Sequence, residues 1–531
     1  KKIIQDTGTG GAWPVSTDRM IWAVAAYEIY LVTGEMDWLK YAFEVIKNSV
    51  DADLAVAFDP STGMIKGESS FLDWREQTYP RWMQPADIFE SECLGTNAAH
   101  FQANRILAAM AKTLKDEKLA KKYDKVANQI KNGINKYLWI PTKGYYGQFL
   151  YGRTHKSLSP RSEALGEALC VLFGIANENR SEQIVAQTPV NSFGIPCIYP
   201  QIPGIPPYHN QAVWPFVQSY WALAAARTKN EEALMHSFAA IYRPAALFAT
   251  NKENFVVGSG DYAGTQINSS NMLWSLSGSI ALVYKTLFGI QYQETGLTFS
   301  PVVPKAFAGK RTLENFRYRK AVLDLEVEGF GSELEAFYLD GVLQNKPEIQ
   351  TTLEGKHRIR MVLKSTQKPQ KFEIQPERTS PETPELNLNG GRIEWKPIAG
   401  ARGYRILKNG MSLGEISEAY FEVEKSVGAE FQVIAFGDSS SESFASEPME
   451  FHLESLKIQA AKNASFGTNL PSKGSENQSV VETSTTKNLK IRYEVTIPEN
   501  GIYGIRFRYA NGNGPMNTEN KCGIRNLWNL N

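Results

Sequence analysis

A multidomain chain, an α/α toroid followed by all-β sandwich domains, is predicted by three features of the sequence. Through the first ~290 residues apolar side chains recur at helical spacing, in segments separated by Gly- and Pro-rich loops. From about residue 296 the pattern changes to apolar/polar alternation, the mark of half-buried strands. The length, 531 residues, exceeds one ordinary domain.

The helical part is read in order. Asp18 is placed to cap a segment carrying Trp22, Ala25, Ala26, Ile29 and Tyr30, which ends near Gly34. Asp37 opens the next, with Leu39, Ala42, Phe43 and Ile46 on one face. Segments near 94–113, 117–138, 162–173, 209–227, 230–245 and 269–288 repeat the style, giving about eight helices. The intervening loops 53–92, 139–161 and 188–208 are long, and long loops in a compact domain commonly carry function.

The alternating part follows. VLDLEVEG (322–329), LEAFYLDG (334–341) and RIRMVLK (358–364) read as strands. Residues 366–386, rich in Pro, Glu and Thr, read as a linker. IEWKPIAGARGYRILKNGMSLGEI then supplies strands, with Asn409-Gly410 as a tight hairpin turn. After Pro448 a last β-like unit has LKIRYEVTIPENGIYGIRFRYANG as its clearest part. The expected boundaries are a helical barrel over 1–290, a small β-sandwich over 291–365, the linker over 366–386, a second sandwich over 387–452 and a third, short for a complete sandwich, over 453–531.

Composition narrows the partners. Lys+Arg total 57 against Asp+Glu 56, a formal net charge of +1, and no basic run occurs, which argues against nucleic acid and for a neutral substrate. Aromatic content of 11%, with eleven Trp, suits a surface that handles sugars. Cys93, Cys170, Cys197 and Cys522 are scattered without a CxxC pair, so neither a metal cage nor a disulfide framework is expected; no metal or cofactor is assigned. No apolar run is long enough to span a membrane.

The densest chemistry lies in GESSFLDWREQTYPRW, where Glu68, Asp73, Trp74, Arg81 and Trp82 share a loop. Trp faces stack on the C–H faces of a pyranose, while Arg and carboxylates hydrogen-bond its hydroxyls. A carboxyl held among aromatics keeps its proton and can act as a general acid. A second segment, NKENFVVGSGDYAGTQINSSNMLWSLSG (251–278), offers Glu253 and Asp261 in a Gly-rich loop before Trp274.

These motifs resemble those of six-hairpin, (α/α)6-barrel glycosidases over roughly residues 11–290, nearest glycoside hydrolase families 63 (processing α-glucosidases) and 37 (trehalases). GESSFLDWREQTYPRW is similar to the family 37 motif that holds the general acid, with longer spacings before the Asp and before the closing Arg-Trp. The resemblance makes Asp73 the general acid and Arg81 a sugar contact. Glu253-Asn254-Phe255 resembles the Glu-Asn/Lys-Tyr motif of the general base, with Phe255 in place of Tyr; Asp261 is the rival base. GAWPVSTDRMIW resembles the stretch whose loop holds a sugar-binding Asp, here Asp18, and YHNQAVWPF the pocket-lining Trp signature, here Trp214. Such barrels have twelve helices, so the short count implies either that some lie in the long loops or, the preferred reading, that further barrel helices stand ahead of residue 1. The β-regions resemble a capping β-sandwich, a fibronectin type III domain with Trp395 and Tyr404, and a truncated carbohydrate-binding module.

The reaction implied is inverting, exo-acting hydrolysis of an α-linked glycoside, α-glucoside foremost, with α-mannoside and α-L-rhamnoside also found on this scaffold. The oligo- or polysaccharide would be held by Asp18, Trp13, Glu68, Trp74, Arg81, Trp82, His209 and Trp214. The appended β-modules suggest an extracellular or periplasmic enzyme. Plainer roles compete at each position. Asp18 could be only a helix cap, Arg81 a partner of Glu76 or Asp87, and Trp214 core. His100 and His209 fit structural hydrogen bonding, and Glu163 and Glu167 fit helix-start capping. Two further readings stay open: a polysaccharide lyase using Tyr208, His209 and Asn210, and a non-catalytic sugar-binding protein.

Overall fold

The computed structural model describes residues 1–4, 13–72, 74–366, 370–423, 429–437, 441–451, 464–466, 491–493 and 495–496. The helices are α1 (Trp22–Thr33), α2 (Met36–Ala57), α3 (Arg75–Thr78), α4 (Pro85–Glu90), α5 (Leu94–Thr113), α6 (Glu117–Tyr137), α7 (Ala164–Leu172), α8 (Glu178–Gln187), α9 (Pro215–Arg227), α10 (Glu231–Phe248) and α11 (Leu273–Ala281). All eight expected helices occur. To them the structure adds α8 and the one-turn pieces α3 and α4, the latter two inside the long loop 53–92.

The sequence explains which helices face inward. In α6 the buried residues Ala120, Tyr123, Ala127, Ile130 and Ile134 form one stripe, with Lys and Asn opposite, so it covers the outside. Gly133 lies on that stripe because a Cβ there would sit 2.6 Å from Met64 and from the Thr62 carbonyl. By contrast α7 is buried along eight of its nine residues and α9 is apolar on most sides, as inner helices must be. Inner helices α1, α5, α7, α9 and α11 pack side by side in chain order up to α11, and α2, α6, α8 and α10 back them. Local caps set the starts: Asp116, Asn177 and Asn230 accept N–H groups of Leu119, Arg180 and Ala233. The N-termini of the inner helices, and the loops before them, therefore share one end of the bundle.

Residues 290–363 form a three-stranded and a five-stranded sheet around their own core, which includes Phe299, Leu323, Phe337 and Met361. Within the larger sheet Ala321–Glu328 runs parallel to Gly355–Leu363. Residues 387–451 form a second sandwich on Ile393, Trp395, Tyr404 and Val433, with Trp395 edge-on to Tyr404 at 5.0 Å. Asn409 and Gly410 both have positive φ, and Lys408 pairs with Met411, as the expected hairpin requires. Most of the expected third sandwich lies outside the described residues; within it Ala464–Phe466 pairs with Ile491–Tyr493.

The described residues 370–386 are not a loose spacer. Gln375 donates its N–H to Val190 O at 2.7 Å, and Gln201 donates its N–H to Arg378 O and accepts the Ser380 N–H across the joint. Beyond it the second sandwich is fused to the barrel: Leu407, Ile434, Phe444 and Ala445 belong to the barrel's own core. Glu430 accepts the N–H groups of Thr154 and His155 there. Composition reads it as a linker, but hydrogen bonds to the barrel and the apolar joint beyond it hold its described residues in place. No described helix is long and apolar enough to cross a membrane.

Candidate functional site

The loops at the N-terminal ends of the inner helices converge on an aromatic cluster. Phe71 is held at φ 62°, a strained value for a non-Gly residue, and Asp18 fixes it by accepting the Phe71 N–H at 2.8 Å. Asp18 is therefore spent on the loop; the 3-10 turn Asp18–Ile21 has no side-chain cap. The Phe71 ring packs against His209, Trp214 and Phe216, with centroids 4.6–5.1 Å apart. Trp274, at the start of α11, stacks on Phe216 at 4.9 Å and is 41% exposed, so one face is open.

Glu253 lies at the edge of this cluster and is 7% exposed. One carboxylate oxygen accepts the Tyr208 O–H at 3.3 Å, the other the Ser269 N–H at 3.0 Å. Glu253 also donates its own N–H to Ser269 O, which closes its loop on itself. Tyr208 meets Trp74 edge-on at 5.0 Å. The segment on either side of Asp73 and the loop of Glu253 are thus joined through one tyrosine. Asp73 itself lies outside the described residues.

The remaining candidates divide. Glu68 is wholly buried at the floor, next to Cys93 and Tyr79. Trp13 donates its indole N–H to Asp53, which also takes Arg19 at 2.6 Å. Burial outweighs Arg19 and raises the Asp53 carboxyl above its usual range. Trp214 is 2% exposed and donates to Tyr208 O, so it supports the cluster from below and does not offer a face. Burial lowers His209 and His100 to about 3, so both are neutral near pH 7. Asp261 closes a turn by accepting the Ala263 N–H at 2.9 Å. Lys252 does not reach Glu253; it donates to Ser270 and lies 4.0 Å from the Tyr262 ring centroid.

Trp82 and Arg81 are placed elsewhere. Trp82 donates its indole N–H to Ala445 O at 3.0 Å and stacks on Tyr151, so the joint with the second sandwich takes it away from Trp74. Arg81 is exposed beside Gly204, and Asp87, one partner open to it in the sequence, pairs with Arg153 instead. Motif spacing cannot foresee this, because a domain more than 300 residues away captures Trp82. Phe216 and Ser269 enter the site only through tertiary contacts; Tyr208 was legible in the sequence only as a lyase candidate beside His209 and Asn210, and its bond to Glu253 is tertiary.

Beneath the site, Glu163 accepts the N–H groups of Gly166 and Gly95, capping α7 and meeting the start of α5 at once. Burial pushes its carboxyl up to about 7. Cys93, Cys170 and Cys197 are free and buried, and burial pushes the Cys93 thiol up to about 12. Among the described residues no group of His, Cys, Asp and Glu could hold a metal ion.

Residues 9–190 match the model of the bacterial alpha-L-rhamnosidase six-hairpin glycosidase domain. Among solved structures the chain is similar to one titled sialidase, with TM-score 0.49 and 14% identity over 58% of this chain and 30% of that one. It is also similar to a GH78 family rhamnosidase of Bacillus sp. GL1, with TM-score 0.40 and 14% identity over 66% of this chain and 34% of that one. The chain spans about a third of the length of these solved structures. No curated protein matches it. The resemblance to families 63 and 37 is thereby reduced to its superfamily, since the matching model is the rhamnosidase one. Residues 9–190, most of the helical part, are thus similar to a six-hairpin glycosidase domain.

Proposed function

We propose that the chain is an inverting glycoside hydrolase acting at the ends of α-linked glycosides, with Asp73 as general acid and Glu253 as general base. The observation that carries this reading is the bridge from Trp74, next to Asp73, through Tyr208 to the Glu253 carboxylate. Inversion needs the two carboxyls ~6.5–9.5 Å apart, so that a water fits between base and anomeric carbon. Glu253 would take a proton from that water while Asp73 protonates the leaving oxygen. The Tyr208 O–H and the Ser269 N–H fix which lone pairs of Glu253 remain for the water. Trp274, with its open face, and half-buried Trp74 are the surfaces on which a sugar ring would stack.

The rhamnosidase model supports an α-L-rhamnoside as the first substrate to test. An α-glucoside, favoured by the sequence motifs, is the second, because one changed pocket contact separates such sugars. The appended sandwiches support an extracellular or periplasmic setting. The test is a panel of nitrophenyl glycosides with product anomers followed by NMR, on the parent chain and on Asp73→Asn and Glu253→Gln. Cleavage with inversion, lost in both variants while binding persists, is expected. Retained configuration, an unsaturated product or undiminished turnover in both variants would overturn the assignment.

A further inference from the structure

The segment after the first sandwich grips the barrel beside the site, and one barrel residue stands at the centre of that grip. Gln201 donates its N–H to Arg378 O at 2.8 Å and accepts the Ser380 N–H at 2.9 Å, so 378–380 runs as a short parallel bridge along it. The clasp is anchored on either side. Asn191 donates to Gln375 O at 2.8 Å, Tyr199 to Pro376 O at 3.3 Å, and the buried Arg161 to the Ser380 hydroxyl at 2.7 Å.

The Gln201 side chain turns the other way, into the site loop. Its carbonyl oxygen accepts the Gln211 N–H at 2.7 Å. Gln211 has φ 54°, a conformation costly for a non-Gly residue and kept only where neighbours enforce it. The Gln211 carbonyl in turn accepts the Val257 N–H at 2.9 Å, and Ala212–Val213 pairs with Phe255–Val256 directly beside Glu253. Three residues before Gln211 lies Tyr208, the hydroxyl donor to Glu253. A second contact reaches the same loop independently: Glu377 packs against Gly258, where a Cβ would come within 1.9 Å of its carboxylate.

We infer that Gln201 is a positioning residue, through which the clasp 375–380 sets the placement of the Glu253 loop and of Tyr208. This rests on Glu253 being the base. The segment between the two sandwiches would then act as a brace for the reacting geometry and not solely as a connector. A misplacement of about 1 Å at a base can cost on the order of a hundredfold in rate. A residue that only satisfies buried backbone groups would instead lower stability and leave the rate per folded molecule unchanged.

The experiment uses the full chain with Gln201→Met, which keeps volume and removes the acceptor, Gln201→Glu, which restores an acceptor, and Ser380→Pro, which removes the clasp N–H. Hydrogen exchange by mass spectrometry is followed over 253–270, with 117–137 as the control. Gln201→Met and Ser380→Pro are expected to speed exchange over 253–270 about tenfold and leave 117–137 unchanged. On whichever glycoside the parent cleaves, both should lower kcat about tenfold or more with KM within about twofold, and Gln201→Glu should recover part of it. Unchanged exchange over 253–270 overturns the coupling, whether or not any glycoside is cleaved. Faster exchange with an unaltered kcat overturns the positioning role. A parent chain that cleaves no glycoside counts against the proposed function alone, because the exchange result still judges the coupling.

Discussion

Tyr208 donates its hydroxyl to Glu253 at 3.3 Å while its ring meets Trp74 edge-on at 5.0 Å. One side chain therefore touches both loops that the hydrolytic reading needs. Tyr208→Phe keeps the ring and removes only the donor. It should lower kcat about tenfold and change stability by no more than about 1 kcal/mol, the net worth of one hydrogen bond. Steady-state kinetics beside thermal melts check this. An unchanged kcat would show that Tyr208 is packing alone.

Asp18 holds Phe71 in its left-handed conformation through the Phe71 N–H. Asp18→Ala leaves that donor without its acceptor and should release the loop 68–74, lowering kcat/KM by one to two orders of magnitude, about 1.4–2.8 kcal/mol. Asp18→Asn retains a carbonyl acceptor and should recover part of the loss. Equal damage from both variants would instead assign Asp18 a role that requires its charge.

Glu163 makes stability depend on pH. Its folded-state pKa is raised from 4.5 to about 7 by burial, so the native state binds the proton more tightly than the unfolded chain. Stability is then greatest below about pH 4.5 with respect to this group, falls as pH rises through the window to about 7, and is flat above it. The full loss is about 3 kcal/mol at 1.36 kcal/mol per pKa unit. Glu163→Gln cannot ionise and should flatten this limb in urea unfolding across that window. A slope identical to the parent's would show that other groups set it.

Trp82 is tied to the second sandwich by its bond to Ala445 and its stack on Tyr151. Trp82→Ala should destabilise the joint by about 2–3 kcal/mol, since the side chain is half-buried and loses packing and a hydrogen bond. KM should not move. A rise in KM without loss of stability would return Trp82 to the sugar site, where the motif alone had put it.

Local pattern made much of this architecture legible. The 3.6-residue recurrence marked eight helices, Asp37 marked the opening of one, and Asn409-Gly410 marked a hairpin. The loops holding Asp18, Phe71 and Glu253 were legible because they concentrate Trp and carboxylates between helices. The destination of Trp82 was not legible, nor was the grip of 370–386 on the barrel. Both depend on partners hundreds of residues away, and nothing in a Pro- and Glu-rich composition encodes a docking face.

The sequence by itself determined the helical and strand units, since backbone sterics and apolar periodicity act within a few residues. It also supplied the two carboxylate-bearing loops. The tertiary structure alone decided that Tyr208 joins Trp74 to Glu253, that Trp214 is buried support, and that Gln201 links the clasp to the site loop. Those relationships are set by burial and by the pairing of buried polar groups across the whole chain, which no local pattern can specify.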